Sequence, residues 1–304
     1  MIRGSRAQQW SKAAWLAILG MGVIDLVWAS RAQISFPHTG LYLGGVLLLL
    51  ALAGICRLFG AAPGLARIAQ AMAQFLAFLL VSETLSFLCA TAGAPLQDAR
   101  LAAIDRALGF DWPSWAAWVH SHRWADVVLS LAYMSYVPQF TLSIAYYAWF
   151  DTTRRTTELL WLLIIAFSLT MFAFALVPAA GPWVHYGVAP KLGSWPVRAF
   201  AALRSGALHA IDVVQVDGVV GFPSFHAAYA VFLTYIHRGN PRLLAAAGGL
   251  NGVMLLSLPA PGGHYLADIL AGLIIAAVTI LAWSRMQRRA GSEPLNLPAP
   301  RLRA

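Results

Sequence analysis

Eight apolar stretches, most of them near the length of a bilayer crossing, dominate this sequence. They run over about 13–30, 40–59, 70–92, 124–150, 157–178, 223–237, 241–258 and 264–284. A hydrocarbon core about 30 Å thick takes roughly 20 apolar residues to cross as a helix. Hydrophobic residues make up 60% of the 304 and charged residues only 11%. A water-soluble domain carries about 25% charged residues, and one of this length could not hide so much apolar surface around one core. The same balance excludes a disordered chain. Two cysteines, Cys56 and Cys89, are too few for a disulfide scaffold. The sequence therefore predicts an all-α polytopic membrane helix bundle with about eight transmembrane helices. The sixth stretch is short, and Gly221-Phe222-Pro223 before it can lengthen it.

The net charge of +9 would suggest nucleic acid in a soluble protein. Here the basic residues lie between apolar runs, so they read as topology signals and no nucleic-acid partner is expected. With both termini cytoplasmic, 14 of the 21 Lys and Arg fall on inside segments, the bias short cytoplasmic loops carry. A bacterial inner membrane fits that bias and the compact loops. The first stretch follows Arg3, Arg6 and Lys12, as a signal peptide would. Its end, Val27-Trp28-Ala29-Ser30, lacks a small-x-small cleavage pattern, so it reads as a retained helix.

Two outer loops are longer than connectors require. The loop over about 93–123 holds Trp112, Trp115 and Trp118, whose spacing suits a short helix in the headgroup layer. The loop over about 179–222 holds Lys191, Arg198, Arg204, His209, Asp212 and Asp217, and long polar loops on a rigid scaffold often carry function. Asp25 and Glu83 lie inside apolar stretches and read as structural groups paired with a neighbouring helix. Cys56 and Cys89 read as inert apolar residues.

Two short stretches carry candidate chemistry. Gly221-Phe222-Pro223-Ser224-Phe225-His226 opens the sixth span, and Gly262-Gly263-His264-Tyr265-Leu266-Ala267-Asp268 opens the eighth. The charge-derived topology puts both openings on the outer side. Residues four apart share a helix face, so Asp268 is expected one turn below His264. There a carboxylate can fix the imidazole tautomer and leave the other nitrogen as base or nucleophile. Pro223 suits a first helical turn and Ser224 a cap. The free N–H groups of such a helix start favour an anion such as phosphate, with His226 beside it.

From about residue 70 to 284 the chain resembles the type 2 phosphatidic acid phosphatase superfamily, integral-membrane enzymes acting on lipid phosphates. Pro223, Ser224 and His226 match its Pro-Ser-x-His motif. Ser257, His264 and Asp268 match its Ser-Arg, five residues, His, three residues, Asp motif. The Gly-Gly-His-Tyr setting, with the stretch from Asp105-Arg106 to Gly109-Phe110-Asp111-Trp112, is similar to the inositol phosphorylceramide synthase branch. The resemblance implies a six-helix catalytic core over 70–284, two added N-terminal helices in 1–69 and a polar cytoplasmic tail over 285–304. It implies His264 as a nucleophile forming a phosphohistidine, Asp268 orienting it, and His226 as general acid and base, with Ser224 and Ser257 in the substrate-binding motifs. It implies no metal and no cofactor, and a lipid phosphate in the bilayer as substrate.

The sequence departs from that pattern in two places. Leu258 stands where the motif has Arg. The first family motif, Lys, six residues, Arg-Pro, is approached by Lys191 and Arg198, with Ala199 in place of Pro. Arg204 is a rival cation in the same loop. The motifs fit hydrolysis and transfer to a sugar or inositol hydroxyl equally. Hydrolysis leads because water needs no dedicated pocket. Two other readings compete: a transporter or channel with an ion path through Asp25, Glu83 and Asp268, and a His-His-Asp metal site.

Overall fold

A computed structural model describes residues 2–60, 62–150, 153–188, 195–213 and 218–290. Its helices are α1 (Ile2–Ala32), α2 (Thr39–Leu58), α3 (Pro63–Ala90), α4 (Asp98–Ala107), α5 (Trp112–Ser121), α6 (Arg123–Met134), α7 (Tyr136–Trp149), α8 (Thr153–Leu176), α9 (Pro182–His185), α10 (Trp195–Arg204), α11 (Phe225–Tyr235), α12 (Pro241–Ser257) and α13 (Leu266–Arg289). The protein is an all-α membrane helix bundle. Among the described residues, six helical segments are long and apolar enough to cross a membrane: Arg6–Ala32, Thr39–Leu58, Pro63–Ala90, Arg123–Trp149, Arg154–Leu176 and Leu266–Arg289.

The sixth and seventh expected stretches are the ones that fall short of that length. Both are helical, but α11 has 11 residues and α12 has 17. At 1.5 Å per residue α11 spans only about 16 Å. Its start is set by Ser224, which caps the helix, so Gly221-Phe222-Pro223 lies outside it rather than lengthening it. The next helix is restarted by Asn240, whose side chain accepts the Leu243 N–H at 3.2 Å. The crossing over Arg123–Trp149 is broken at Ser135, between α6 and α7. Pro138 has no N–H to give the carbonyl of Met134, and its ring crowds that carbonyl. Ser135 Oγ donates back to Ala132 O at 2.7 Å.

The chain forms two compact units. In the first (1–93, 141–164 and 198–219), α3 carries most of the burial, with Ala66, Ala69, Ala73, Phe75, Phe78 and Phe87 inside. Gly45 brings α2 close to it, since a Cβ there would lie 2.9 Å from Leu76. Small residues permit this kind of approach between membrane helices. Gln74 of α3 donates to Ser11 O of α1 at 2.9 Å. Leu41, Leu43, Leu47 and Leu48 remain exposed on α2, as a lipid-facing stripe would. The turn between α1 and α2 holds the segment after α10. Ser35 N–H donates to His209 O at 2.8 Å, and Ile211 N–H to Ser35 O at 2.9 Å. Tyr42 O–H donates to Val213 O at 3.2 Å, and His38 Nδ1 lies 3.1 Å from Asp212 Oδ2. Cys56 and Cys89 are free and buried.

Asp25 of α1 departs from expectation. It is 5% exposed, and neither carboxyl oxygen has a hydrogen-bond partner among the described residues. A buried polar group left unsatisfied costs about 1–3 kcal/mol. Asp25→Leu, with the same number and branching of side-chain heavy atoms, is therefore expected to raise the melting midpoint of the detergent-solubilised protein by a few degrees. An unchanged or lower midpoint would refute that gain.

The second unit (94–140, 165–197 and 220–304) packs α11 against α12 and α13, α12 against α6, and α4 against α9 and α13. A polar knot ties three of its helices. Asn251 of α12 exchanges hydrogen bonds with Gln139 of α7 at 3.0 and 3.1 Å and donates to Thr234 of α11 at 3.1 Å. The tryptophan-bearing helix exists as α5, but Trp112 is not interfacial. It is fully buried, and its indole N–H donates to Pro259 O at 2.8 Å. Trp118 remains 40% exposed.

Candidate active site

Two helix starts in the second unit meet at the site. Ser224 Oγ accepts the Ala227 N–H at 3.3 Å, and Ser224 N–H donates to the backbone oxygen of Asp268 at 3.0 Å. That bond joins the two histidine stretches directly. Gly272, one turn beyond Asp268, lets α13 touch the start of α11. A Cβ at 272 would lie 2.1 Å from Ser224 O and 2.9 Å from the Ala227 Cβ.

His264 does not share a helix face with Asp268 as expected. The helix begins at Leu266 with Tyr265 as its cap, so His264 sits in the entering loop and Asp268 reaches back towards it. Asp268 Oδ2 accepts the Tyr265 N–H at 2.8 Å and lies 3.5 Å from His264 Nδ1. The closer partner of Nδ1 is the carbonyl oxygen of Gly221, at 3.0 Å. A carbonyl only accepts, so Nδ1 carries the proton and Nε2 keeps its lone pair. Gly221, with the carboxylate of Asp268 at longer range, thus sets the tautomer.

His226, in the first turn of α11, has its ring centre 6.3 Å from that of His264, with the planes at 54°. Its ring centre is 4.9 Å from those of both Tyr133 and Tyr136 and 6.1 Å from that of Tyr229. Leu258 is fully buried in an apolar cluster with Ala227 and Ile269, against which Tyr133 packs. The substitution at this motif position fills a core rather than presenting a side chain to an anion.

The other expected site residues divide. Ser224 and Ser257 are fully buried. The first is spent on its helix cap, and Ser257 Oγ donates to Met254 O at 2.5 Å. Both hold helix ends in place. Arg198 and Arg204 lie on α10, in the first unit. Arg198 is exposed, and the Arg204 guanidinium is 5.7 Å from the Phe200 ring centre. Lys191 and Asp217 lie outside the described residues, as does the tail over 291–304. Among the described residues no three His, Cys, Asp or Glu side chains are grouped to hold a metal ion.

A family model described as the PAP2 superfamily matches residues 99–282, more than half of the chain. The chain belongs to the PAP2 superfamily. No curated protein and no solved structure gives a match. Membership supports, in broad terms, a membrane enzyme of the phosphatase type acting on lipid phosphates. The PAP2 match contains both histidine stretches and begins inside α4, leaving α1, α2 and α3 before it.

Several residues of this PAP2 site escaped the sequence reading. Tyr133 and Tyr136 sit among many aromatics of an apolar span, and nothing local distinguishes them. Asp98 belongs to no motif and Asp105 enters only within the branch-like stretch from Asp105 to Trp112, yet they are 8% and 1% exposed. Burial pushes the Asp105 carboxyl up from its ordinary value, against the backbone N–H groups of Ala267 and Leu266 that pull it down.

Proposed function

We propose that the protein is an integral-membrane lipid phosphate phosphatase working through a phosphohistidine. The reading rests on one observation: two imidazoles from helix starts far apart in the chain stand 6.3 Å apart, and one of them is held as the Nδ1–H tautomer by Gly221. Nε2 of His264 attacks phosphorus and the bond to the lipid oxygen breaks. His226 protonates that oxygen as it leaves. Asp268 stabilises the positive charge that develops on His264. In the second half, His226 takes a proton from water, whose oxygen attacks phosphorus. The P–N bond breaks, inorganic phosphate leaves and Nε2 regains its lone pair. The charge on the non-bridging oxygens needs a counter-cation, for which Arg204, Arg198 and Lys191 are the candidates. We place the catalytic core at 70–284 and the site at the outer face of a bacterial inner membrane, with both termini inside.

One observation favours a second reading, transfer to an inositol or sugar hydroxyl in the manner of the inositol phosphorylceramide synthase branch. Tyr133, Tyr136 and Tyr229 surround His226, and phenol groups can hydrogen-bond a polyol next to the group that would deprotonate its hydroxyl.

The test uses purified protein in detergent with EDTA and a panel of lipid phosphates. His226→Ala is expected to lower phosphate release by roughly 10²–10⁴-fold. It should spare phosphoenzyme formation from an aryl phosphate, whose phenolate leaves without a proton, while phosphoenzyme hydrolysis stays slow with either substrate. Equal losses in phosphoenzyme formation on both substrates would remove His226 as the acid. Activity lost to EDTA and restored by zinc would replace the phosphohistidine route with a metal one. A phosphodiester formed when inositol is added would select transfer over hydrolysis.

A further inference from the structure

The loop that presents His264 is held by α4. Asp98 and Asp105 are two helical turns apart, seven residues, and so project from one face of α4. Asp98 Oδ1 accepts the Gly181 N–H at 2.9 Å and the Tyr265 O–H at 3.1 Å, and its Oδ2 accepts the Ala180 N–H at 3.0 Å. Asp105 accepts the N–H groups of Leu266 and Ala267, each at 2.9 Å, one on each carboxyl oxygen. Gln97 N–H, at the start of α4, donates to Pro178 O at 2.9 Å. The segments so held also touch one another. A Cβ on Gly181 would lie 3.3 Å from Gly263 O, and one on Gly263 would lie 2.7 Å from the Trp183 ring.

His264 lies between Gly263, pressed by Trp183 and Gly181, and Tyr265, held through its phenol. The residues after it, Leu266 and Ala267, are fixed by Asp105. Through these segments α4 braces both the nucleophile's own stretch and the neighbouring 180–181 segment against which it packs. Burying two carboxylates is a costly way to fasten a loop, since each must give up its hydration. Leu266 and Ala267 lie in the first turn of α13, where an ordinary local cap could serve the Ala267 N–H and water commonly serves the first. What a distant carboxylate adds is a fixed position relative to α4.

We propose that Asp98 and Asp105 are positioning residues for His264, acting together as a brace that keeps its imidazole aimed at phosphorus while Nδ1 stays on Gly221. The proposal rests on the phosphohistidine reading above. Neither carboxylate touches substrate. A misplacement of about 1 Å at a reacting group can cost roughly 10²-fold in rate.

The experiment is Asp105→Asn and Asp98→Asn in the full chain in detergent, with kcat referred to the amount of folded, monodisperse protein. Asparagine keeps the volume but turns an NH₂ group towards backbone N–H donors. The brace predicts that kcat per folded protein falls about 10–100-fold while KM stays within about twofold, and that phosphoenzyme formation slows more than its hydrolysis. A merely structural role would lower the yield of folded protein and leave its kcat unchanged, which would overturn the proposal. Tyr265→Phe removes only the phenol bond to Asp98 and carries the test if either asparagine variant fails to fold. A loss in kcat per folded protein there supports the brace, and an unchanged value overturns it for Asp98. His264→Ala is run alongside. Its inactivity together with fully active aspartate variants would sink the brace alone, and its full activity would sink the brace and the catalytic reading together.

Discussion

His264→Ala is expected to abolish phosphate release, with a loss of roughly 10⁴-fold or more, the scale seen when a nucleophile is removed from a preorganised site. The reason is specific to this site. Nε2 of His264 combines a lone pair, a proton fixed on the opposite nitrogen by Gly221 O at 3.0 Å and a second imidazole 6.3 Å away. His226 cannot stand in for it, because one group would then have to attack phosphorus and protonate the leaving oxygen from the opposite side. The variant should still fold, since the links joining the two helix starts, such as Ser224 N–H to Asp268 O, are backbone bonds that an alanine leaves intact. Acid-labile phosphate on the protein, trapped during turnover, should disappear with the activity. Retention of either would end the nucleophile assignment.

The second large effect is expected at a residue with no chemistry. Gly272→Ala places a methyl carbon 2.1 Å from the carbonyl oxygen of Ser224 and 2.9 Å from the Ala227 Cβ. No rotamer relieves this, because both neighbours are fixed in the first turn of α11 or just before it. The helices must part by about an ångström, and His226, two residues beyond Ser224, moves with α11. Overpacking of this kind costs about 1–3 kcal/mol in stability, and the displacement roughly 10²-fold in kcat. Gly252→Ala is the matched control: it too lies inside a helix, but a Cβ there meets nothing within 4 Å. With the higher helix propensity of alanine, it should keep full activity and gain slightly in stability. Equal behaviour of the two variants in a paired activity and melting assay would refute the packing argument.

The two cases mark what a sequence can and cannot reveal. The helical bundle was legible because a bilayer demands apolar runs of fixed length, and six of them reach it. The histidine stretches were legible because their spacing is local. The first turn of α13 was misread for a local reason too: four-residue spacing implies a shared helix face only if the helix has begun, and here it begins at Leu266. Residues that act across the fold left little trace. Asp105 is separated from Leu266 by 161 positions, and Trp112 from Pro259 by 147, so their partners appear only once α4 and α5 are folded. Tyr133 and Tyr136 flank the break at Ser135, and no periodicity gives the direction their side chains take there.

The pairing of Ser35 with His209 and Ile211, reinforced by Tyr42 and His38, bears on how far this chain can be shortened. A version trimmed to the family-matched stretch would strip these partners from the segment just after α10, exposing severed hydrogen bonds and removing His38 from beside Asp212. Residues 33–42 are in that sense a cradle for a distant part of the polypeptide, and any reduced enzyme would have to keep them or rebuild their polar contacts.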